Sequence, residues 1–293
     1  MKSIFLTGST GFIGKNLKKK FQNKYRIFDF IRSSTINIKE NVVIHLAGLS
    51  HDTNKKYNLK TYYEVNTKLT IDIFDKFLKS NSSDFIFLSS VKAVKDFYDE
   101  KLDETVIETP TTYYGLSKLK AEKYIFSKKI PHGKRVIILR PCMIYGPENK
   151  GNLNLLYKMV SKGYPWPLGS YENKRSYCSI NNLIFVIDQI INHKNILSGI
   201  YNLSDDEPLS TNELVRLIYE SKNKKPFIIK IPKVIISLIA KIGDFLPMPL
   251  NSERLKKLTS SYIVSNTKIS KALKIKLPDN SKKALLRVFK NFR

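Results

Sequence analysis

The sequence predicts an α/β protein in which a doubly wound parallel sheet carries a smaller α/β cap. Through roughly the first two thirds of the 293 residues, short apolar runs alternate with helical patterns, as in a parallel sheet with helices on both faces. The first apolar run leads directly into a glycine-rich turn and a helix. Where that alternation stops, prolines occur among mixed loops and helices. Together these observations indicate a Rossmann-type sheet domain with a discontinuous second domain.

Six segments are predicted to be strands of the sheet. They are residues 3–7, 26–31, 42–46, 85–89, 136–139 and 200–203. Few residues separate the second predicted strand from the third, so the connecting segment that many such sheets have at this point is shortened here. The predicted domains are 1–150 with 178–204 for the sheet, and 151–177 with 205–293 for the cap.

The glycine-rich turn follows the first strand in the spacing Gly8-x2-Gly11-x2-Gly14. Gly8 can adopt the positive φ of a tight turn, Gly11 leaves the backbone open to a phosphate, and Gly14 lets the helix lie close to the strand. Leu17 and Phe21, four residues apart, begin an amphipathic helix. The free N–H groups of its first turn favour an anion, so the turn is predicted to bind the pyrophosphate of a dinucleotide. The alternative is an ordinary strand-to-helix turn.

The charge of the chain is strongly positive, with 51 Lys and Arg against 25 Asp and Glu and a net charge of +26. Most of the basic residues are lysines, and they are spread along the chain. This pattern favours a solvated lysine-rich surface over a nucleic-acid groove, for which clustered arginines are expected. RNA binding stays a remote alternative. A net positive field favours an anionic substrate.

Cysteine usage and the apolar runs bear on the compartment. Cys142 and Cys178 have no disulfide-like spacing, which fits a reducing cytoplasm, and a strand that begins at residue 3 leaves no room for a leader. The longest apolar run, residues 234–250, contains charges and prolines and is too short to span a membrane. It is interpreted as a helix that covers a hydrophobic surface, with peripheral membrane contact as the lesser alternative. Four scattered histidines and two cysteines predict no metal site.

Tyr114 and Lys118 are the first candidates for chemistry. They are four residues apart at the start of a predicted helix, so both side chains lie on one face. An ammonium beside a phenol favours the phenolate and lowers its pKa from about 10 toward neutrality, which makes the tyrosine a usable acid or base. Tyr124 and Lys128 have the same spacing among surface-helix neighbours, so context must distinguish the two pairs.

Ser90 supplies that context, because it follows the apolar strand 85–89. Ligands bind at the carboxyl ends of strands in a doubly wound sheet, where Ser90 would lie. The alternative is a serine that merely ends a strand. Together with Tyr114, a functional role is favoured.

Five motifs occur in one order along the chain: Gly8-x2-Gly11-x2-Gly14, His45-Leu46-Ala47-Gly48, Ser89-Ser90, Tyr114-x3-Lys118 and Leu139-Arg140-Pro141-x3-Tyr145-Gly146-Pro147. This order resembles that of the extended short-chain dehydrogenases/reductases of the NAD-dependent epimerase/dehydratase family, over nearly the whole chain. Within that family the chain is most similar to bacterial nucleotide-sugar 4-epimerases and 4-ketoreductases of surface polysaccharide synthesis. The resemblance implies an enzyme with a nicotinamide cofactor and a UDP-sugar substrate over which loops of the chain close.

The resemblance also implies residue roles. Ser90 and Tyr114 would bind and protonate the sugar O4, while Lys118 would hold the nicotinamide ribose and tune the tyrosine. Asn66 would lie behind the catalytic helix, and Ala47 and Gly48 would line the pyrophosphate. The full set of cofactor-binding residues that it implies is Gly8, Thr10, Gly11, Phe12, Ile13, Gly14, Arg32, Leu46, Ala47, Gly48, Asn66, Tyr114, Lys118 and Pro141.

Some positions resemble the ketoreductases in particular, among them Ser90-Val91-Lys92 and the segment around residue 175. The substrate-binding residues implied are His51, Ser90, Lys92, Asn152, Arg175 and Arg254. Arginine's planar fork suits a diphosphate, which makes Arg175 the best phosphate ligand. For His51 and Arg254, a structural or surface role is an equal alternative.

Two positions depart from the family pattern. The acid that would bind the adenine ribose of NAD is displaced, because Asp29 comes two residues early and Arg32 stands near the expected place. A guanidinium suits a 2′-phosphate, so NADP is preferred and NAD stays possible. The second departure is Lys95-Asp96, where relatives have an aromatic residue or Asn followed by Gly, which leaves the shape of that loop open.

Three functions follow from these observations. The preferred one is an NADPH-dependent reductase of a UDP-4-keto-6-deoxy-N-acetylhexosamine. The alternative is a UDP-sugar 4-epimerase of the UDP-glucose or UDP-N-acetylglucosamine type. The remote alternative is an RNA-binding protein on the same fold. A homodimer is compatible with each, and neither the sugar nor its C4 stereochemistry follows from the sequence.

Overall fold

The computed structural model describes residues 1–32, 35–50, 57–149, 152–246 and 250–292, with the side chain of Asn152 left out. Its strands are β1 Ser3–Thr7, β2 Arg26–Asp29, β3 Val42–His45, β4 Asp84–Leu88, β5 Lys101–Leu102, β6 Arg135–Pro141, β7 Met143–Tyr145, β8 Tyr177–Ser179, β9 Gly199–Leu203 and β10 Ile263–Val264.

The helices alternate with these strands in the first two thirds of the chain. They are α1 Phe12–Phe21, α2 Leu59–Tyr62, α3 Leu69–Lys79, α4 Tyr113–Phe126, α5 Asn152–Ser161, α6 Ile180–Asn192, α7 Thr211–Ser221, α8 Lys233–Phe245, α9 Ser252–Thr259, α10 Thr267–Leu273 and α11 Ser281–Lys290. A π-helical turn, Tyr63–Lys68, joins α2 to α3, and a 3₁₀ turn, Val91–Ala93, follows β4.

Six strands form one parallel sheet in the order β2-β1-β3-β4-β6-β9. These are the six predicted strands, with ends that differ by at most two residues, so the predicted α/β fold is confirmed. The chain runs from β1 to β2 on one side and then to β3 on the other. The carboxyl ends of β1 and β3 therefore flank a switch point, where doubly wound sheets bind ligands.

Both faces of the sheet are buried, as parallel sheets require. One face packs against α1 and α6, and the other against α3 and α4. A separate apolar cluster forms the core of the cap and includes Leu153, Trp166, Leu214, Ile236 and Leu285.

The predicted cap piece 205–293 is not uniform in its packing. Tyr262, Val264 and Ile269 lie within it but pack into the core of the sheet, and β10 pairs with β5. The predicted domain boundaries stay a prediction, with residues 262–273 attached to the sheet side. Within the described residues, none of the helices is long and apolar enough to cross a membrane.

Candidate active site

A cavity of about 970 Å³ lies along the carboxyl edge of the sheet and is lined by residues of both the sheet and the cap. That size is at the upper end of the range for small-molecule sites. The predicted site residues that line it are Gly8, Gly11, Phe12, Ile13, Gly14, Leu46, Gly48, Ser90, Lys92, Tyr114, Lys118, Pro141 and Arg175.

The three glycines of the turn have different structural roles. Gly8 has a φ of +73°, and a Cβ there would lie 2.7 Å from the backbone nitrogen of Ala47. A Cβ on Gly14 would lie 2.2 Å from the carbonyl oxygen of Gly8, so both glycines are required by close backbone packing. A Cβ on Gly11 would meet only that same oxygen, at 3.4 Å. The space beside Gly11 is thus open, and α1 begins there without a side-chain cap, which fits a bound pyrophosphate.

His45 ties this turn to the end of β3. Its Nδ1 lies 2.7 Å from the hydroxyl of Thr7, and its Nε2 lies 2.8 Å from that of Thr70. Because the Thr70 hydroxyl donates to the carbonyl of Asn66, it must accept from Nε2–H, which leaves Nδ1 as acceptor for Thr7. Thr7 in turn accepts from the N–H of Ala47. Burial lowers the pKa of His45 to about 3, so the ring is neutral.

Asn66 lies in the π-helical turn and is fully buried behind α4. Its side chain accepts from the N–H of Leu49 at 2.6 Å and donates to the carbonyl of Leu49 and to the hydroxyl of Ser117. A Cβ on Gly48 would lie 3.1 Å from its Oδ1. Asn66 thereby fixes the loop after β3 against the helix that carries Tyr114.

Ser90 and Tyr114 meet at the carboxyl edge. The Ser90 hydroxyl caps the 3₁₀ turn by accepting from the N–H of Lys92. It is also close enough to the phenol of Tyr114 to lower the pKa of that phenol by hydrogen bonding. Helix α4 begins next to this turn because Thr112 caps it and Gly115 permits contact. A Cβ on Gly115 would lie 2.3 Å from the carbonyl oxygen of Lys92.

The electrostatics of the pair differ from the sequence expectation. Lys118 is buried, its Nζ donates to the carbonyl of Leu88 at 2.9 Å, and it lies 4.8 Å from the centre of the Phe87 ring. Burial lowers the pKa of Lys118 to about 8. Burial also raises the pKa of Tyr114 to about 12, against the opposing hydrogen bond from Ser90. The expectation of a lowered phenol pKa is therefore wrong for this structure, because burial outweighs the hydrogen bond from Ser90.

Asp96 resolves the loop shape that the sequence left open. Its carboxylate accepts four hydrogen bonds, from the N–H and hydroxyl groups of Thr111 and Thr112, at 2.7 to 3.0 Å. These residues directly precede α4. The hydroxyl of Tyr262 donates to the carbonyl of Lys95 at 2.7 Å, which holds the same loop from the other side. Asp96 therefore positions the start of the helix that presents Tyr114.

Three cations gather at the cap end of the cavity: Lys92, Arg175 and Lys257. The guanidinium of Arg175 donates to the carbonyl of Lys257, and the ammonium of Lys92 donates to the carbonyl of Asp96. Burial lowers the pKa of Lys92 to about 8; the Asp96 charge opposes that shift, and the other two cations add to it. Sequence reasoning missed Lys257. The cluster suits a diphosphate, since it joins a planar fork to two ammonium groups, of which that of Lys257 also pairs with Glu253 at 2.6 Å.

The comparisons with known proteins agree with this geometry. Residues 4–204 match the model of the NAD dependent epimerase/dehydratase family. The chain belongs to this family. It is 32% identical to UDP-glucose 4-epimerase of Vibrio cholerae over 271 residues, which cover 82% of each chain. It is 28% identical to N-acetyl-alpha-D-glucosaminyl-diphospho-ditrans,octacis-undecaprenol 4-epimerase of Escherichia coli O157:H7 over 300 residues, 92% of this chain and 85% of that one.

Among solved structures, UDP-N-acetylglucosamine 4-epimerase from Bacillus cereus has the same fold, with a TM-score of 0.76, 19% identity and full coverage of both chains. A reductase is also among the relatives, and the similar structures include complexes with NAD and with NADP. As a member of the epimerase/dehydratase family, the chain is an enzyme that binds a nicotinamide dinucleotide. Whether NADP is preferred over NAD stays a prediction.

The remaining predicted site residues do not line the cavity or lie outside the described residues. Among the described residues, those outside the cavity lining are Thr10, Arg32, Ala47, Asn66 and Arg254. Thr10 is exposed on the glycine turn, Arg32 is exposed just beyond β2, and Arg254 is exposed in the first turn of α9, before Lys257. His51 and the side chain of Asn152 lie outside the described residues. The described part of the chain holds no metal-ligating cluster.

Proposed function

We propose that the chain is a 4-epimerase of a sugar carried on a diphosphate, with UDP-sugars as the substrate class. The observation that supports this most is one cavity that joins three sets of residues. They are the open glycine turn, the Ser90–Tyr114–Lys118 set, and the cations Lys92, Arg175 and Lys257. The sequence preferred 4-ketoreduction, but 4-epimerases among the relatives now make epimerisation the first candidate.

Each set has a role in this proposal. The three cations hold the diphosphate and so orient the sugar ring toward the strand ends. Tyr114 exchanges a proton with O4, and the Ser90 hydroxyl donates a hydrogen bond to that oxygen as negative charge builds on it. Lys118 lines the same cavity and would hold a ribose hydroxyl of the cofactor. A bound nicotinamide dinucleotide, held by the glycine turn, supplies the hydride chemistry at C4.

Reduction of a UDP-4-keto-6-deoxy-N-acetylhexosamine is the second candidate, and the end of β2 favours it. Asp29 forms an ion pair with Lys18 of α1, while Arg32 is exposed beyond the strand. An engaged carboxylate and a nearby guanidinium suit the 2′-phosphate of NADP, which a reductase must exchange at each turnover.

The test supplies the purified chain with a panel of UDP-sugars without added cofactor, and with UDP-4-keto sugars plus NADPH or NADH. An epimerase converts a UDP-sugar to its C4 epimer with the nicotinamide it retains. A reductase consumes one NADPH per keto sugar and leaves UDP-sugars unchanged. Conversion in neither arm would contradict both candidates.

The matched variants are Tyr114→Phe and Tyr124→Phe, which remove one hydroxyl each from the same helix. Tyr124 bonds to Asp75, outside the cavity. We expect Tyr114→Phe to lower kcat about 10² to 10⁴-fold with little change in KM, because only the proton transfer is lost. Tyr124→Phe should leave kcat near that of the unmodified chain. Equal turnover in the two variants would remove Tyr114 from the mechanism.

A further inference from the structure

Helix α8 presents an apolar face to solvent. Phe245 is 90% exposed, Val234 is 80% exposed and Leu238 is 60% exposed, an unusual state for such side chains. The exposed apolar residues of α8 and of the residue after it are Val234, Ile235, Leu238, Ile242, Phe245 and Leu246. The opposite side of the helix, with Ile236 and Ala240, packs into the core of the cap.

The exposed residues form one continuous stripe. Each helical residue advances the side chain by about 100°, so Val234, Phe245, Leu238, Ile242 and Ile235 fall within an arc of about 100°. The buried residues lie on the far side of the helix. A continuous apolar patch of this kind marks an interaction surface, whereas apolar residues that are exposed singly are normal on a protein surface.

One positive charge lies at the edge of the stripe. Lys241 is beside Val234 and Phe245 on the helix surface, whereas Lys233 lies about 100° from Val234 and places its ammonium over the ring of Tyr171. The acid of α8, Asp244, is turned toward α9, where it accepts from the N–H of Ser252 at 2.9 Å and from its hydroxyl at 2.6 Å. The face therefore combines apolar side chains with one ammonium group, that of Lys241, and directs its carboxylate elsewhere.

We propose that this face of α8 docks on the surface of an anionic phospholipid bilayer. An apolar stripe edged by a lysine, on a chain with a net charge of +26, suits a helix that lies in the interface of an anionic membrane, with its apolar side among the acyl chains and its cation at the headgroups. At 13 residues, α8 is too short to span the roughly 20 residues of a bilayer core.

Charge favours the bilayer over a second copy of the chain. Each copy carries a net charge of +26, and a symmetric contact through α8 would bring Lys241 of both copies to the same apolar stripe. An anionic membrane neutralises these charges instead.

Docking here would hold the cavity near the headgroups. Helix α9 packs against α8, and Lys257 of α9 lines the cavity while its carbonyl binds Arg175. A diphosphate-linked substrate presented at a membrane would thus meet the cation cluster directly. The docking proposal does not depend on the reaction at C4 and is tested without turnover.

The experiment floats the full chain with vesicles of phosphatidylcholine that contain phosphatidylglycerol, and with vesicles of phosphatidylcholine alone. The double variant Leu238→Ser/Phe245→Ser removes the centre and the end of the stripe. Its matched control is Ile107→Ser/Leu197→Ser, at two positions outside α8 that are 78% and 77% exposed. A second variant, Lys241→Glu, reverses one charge without altering the stripe.

We expect the unmodified chain and the control to float with anionic vesicles. The stripe variant should bind about a hundredfold more weakly, from about a factor of ten for each of the two side chains removed. Lys241→Glu should weaken binding to anionic vesicles but not to neutral ones. Flotation that is absent, or equal for the stripe variant and the control, would overturn the proposal. A dimer in sedimentation velocity that only the stripe variant dissociates would assign the face to a second copy and equally overturn it.

Discussion

Replacement of Asp96 tests whether a residue outside the reacting groups controls the position of Tyr114. Asp96→Ala removes an acceptor of four hydrogen bonds from Thr111 and Thr112, two of them from backbone N–H groups. Hydrogen bonds to a charged acceptor contribute about 1.5–3 kcal/mol each, but Thr111 and Thr112 are exposed and water replaces part of the loss. We expect the free energy of unfolding to fall by about 2–4 kcal/mol.

The effect on turnover follows from geometry. Thr112 caps α4 two residues before Tyr114, so a loosened cap displaces the phenol relative to Ser90. Because a displacement of about 1 Å can cost about 10²-fold in rate, kcat should fall about 10- to 100-fold while KM changes less. Urea unfolding and steady-state kinetics on the substrate found with the panel measure the two effects. Asp96→Asn, which keeps one acceptor oxygen, should lose less on both measures.

The matched control is Asp103→Ala. Asp103 accepts from the N–H of Thr105 at 2.9 Å and from its hydroxyl, so it organises a local turn in the same way but away from α4. Its loss should lower stability modestly and leave kcat unchanged. If Asp96→Ala and Asp103→Ala have the same kcat, Asp96 does not position the catalytic helix.

The pH dependence gives an independent check on Asp96. Burial alone would raise the pKa of this carboxyl, but the hydrogen bonds from Thr111 and Thr112 outweigh burial and leave the pKa below its ordinary value. A folded-state pKa below the unfolded one stabilises the protein above the unfolded pKa, about 3.9, and this contribution is lost as the pH falls through the folded pKa. The stability gap between the unmodified chain and Asp96→Asn should therefore narrow in acid.

Three further predictions concern other parts of the site. His45 has a folded pKa of about 3 against about 6.5 when unfolded, so stability should rise with pH between these values, and His45→Gln should lower that slope by up to about 1.4 kcal/mol per pH unit in urea titrations. Arg175→Ala should raise KM with kcat nearly unchanged, because a diphosphate is bound alike in ground and transition states. Arg254→Ala should raise KM less. A larger rise in KM for Arg254→Ala than for Arg175→Ala would place the diphosphate at Arg254 instead. The unmodified chain should bind NADPH more tightly than NADH, and Arg32→Ala should reduce this difference between the two dissociation constants. Tighter binding of NADH by the unmodified chain would contradict a role of Arg32 in binding the 2′-phosphate.

The local parts of this site were predictable from the sequence. The glycine turn, the strand that ends in Ser89-Ser90 and the helix with Tyr114 and Lys118 are each contained within about a dozen residues. Parallel strands place their carboxyl ends on one edge of the sheet, so the convergence of these segments follows from the fold alone.

The parts that were missed depend on contacts distant in sequence. Lys257 reaches the cavity through its carbonyl bond to Arg175, 82 residues away, and the Tyr262 hydroxyl reaches the carbonyl of Val91 from 171 residues away. No periodic pattern encodes such pairs. The sequence does single out Asp96, because this residue departs from the family pattern. Only the fold shows that its hydrogen-bond partners are Thr111 and Thr112.

The two candidate reactions require different protonation states of Tyr114. Reduction of a ketone begins with a phenol that donates its proton to O4, whereas epimerisation begins with a phenolate that removes the proton from O4. Because burial raises the pKa of Tyr114 to about 12, the structure holds the phenol that reduction needs. An epimerase must bring that pKa down as its ligands bind, and the group available for this is Lys118, whose ammonium is now bonded to the carbonyl of Leu88. The two reactions therefore differ in the protonation state of one residue, which a fold shared by epimerases and reductases does not determine.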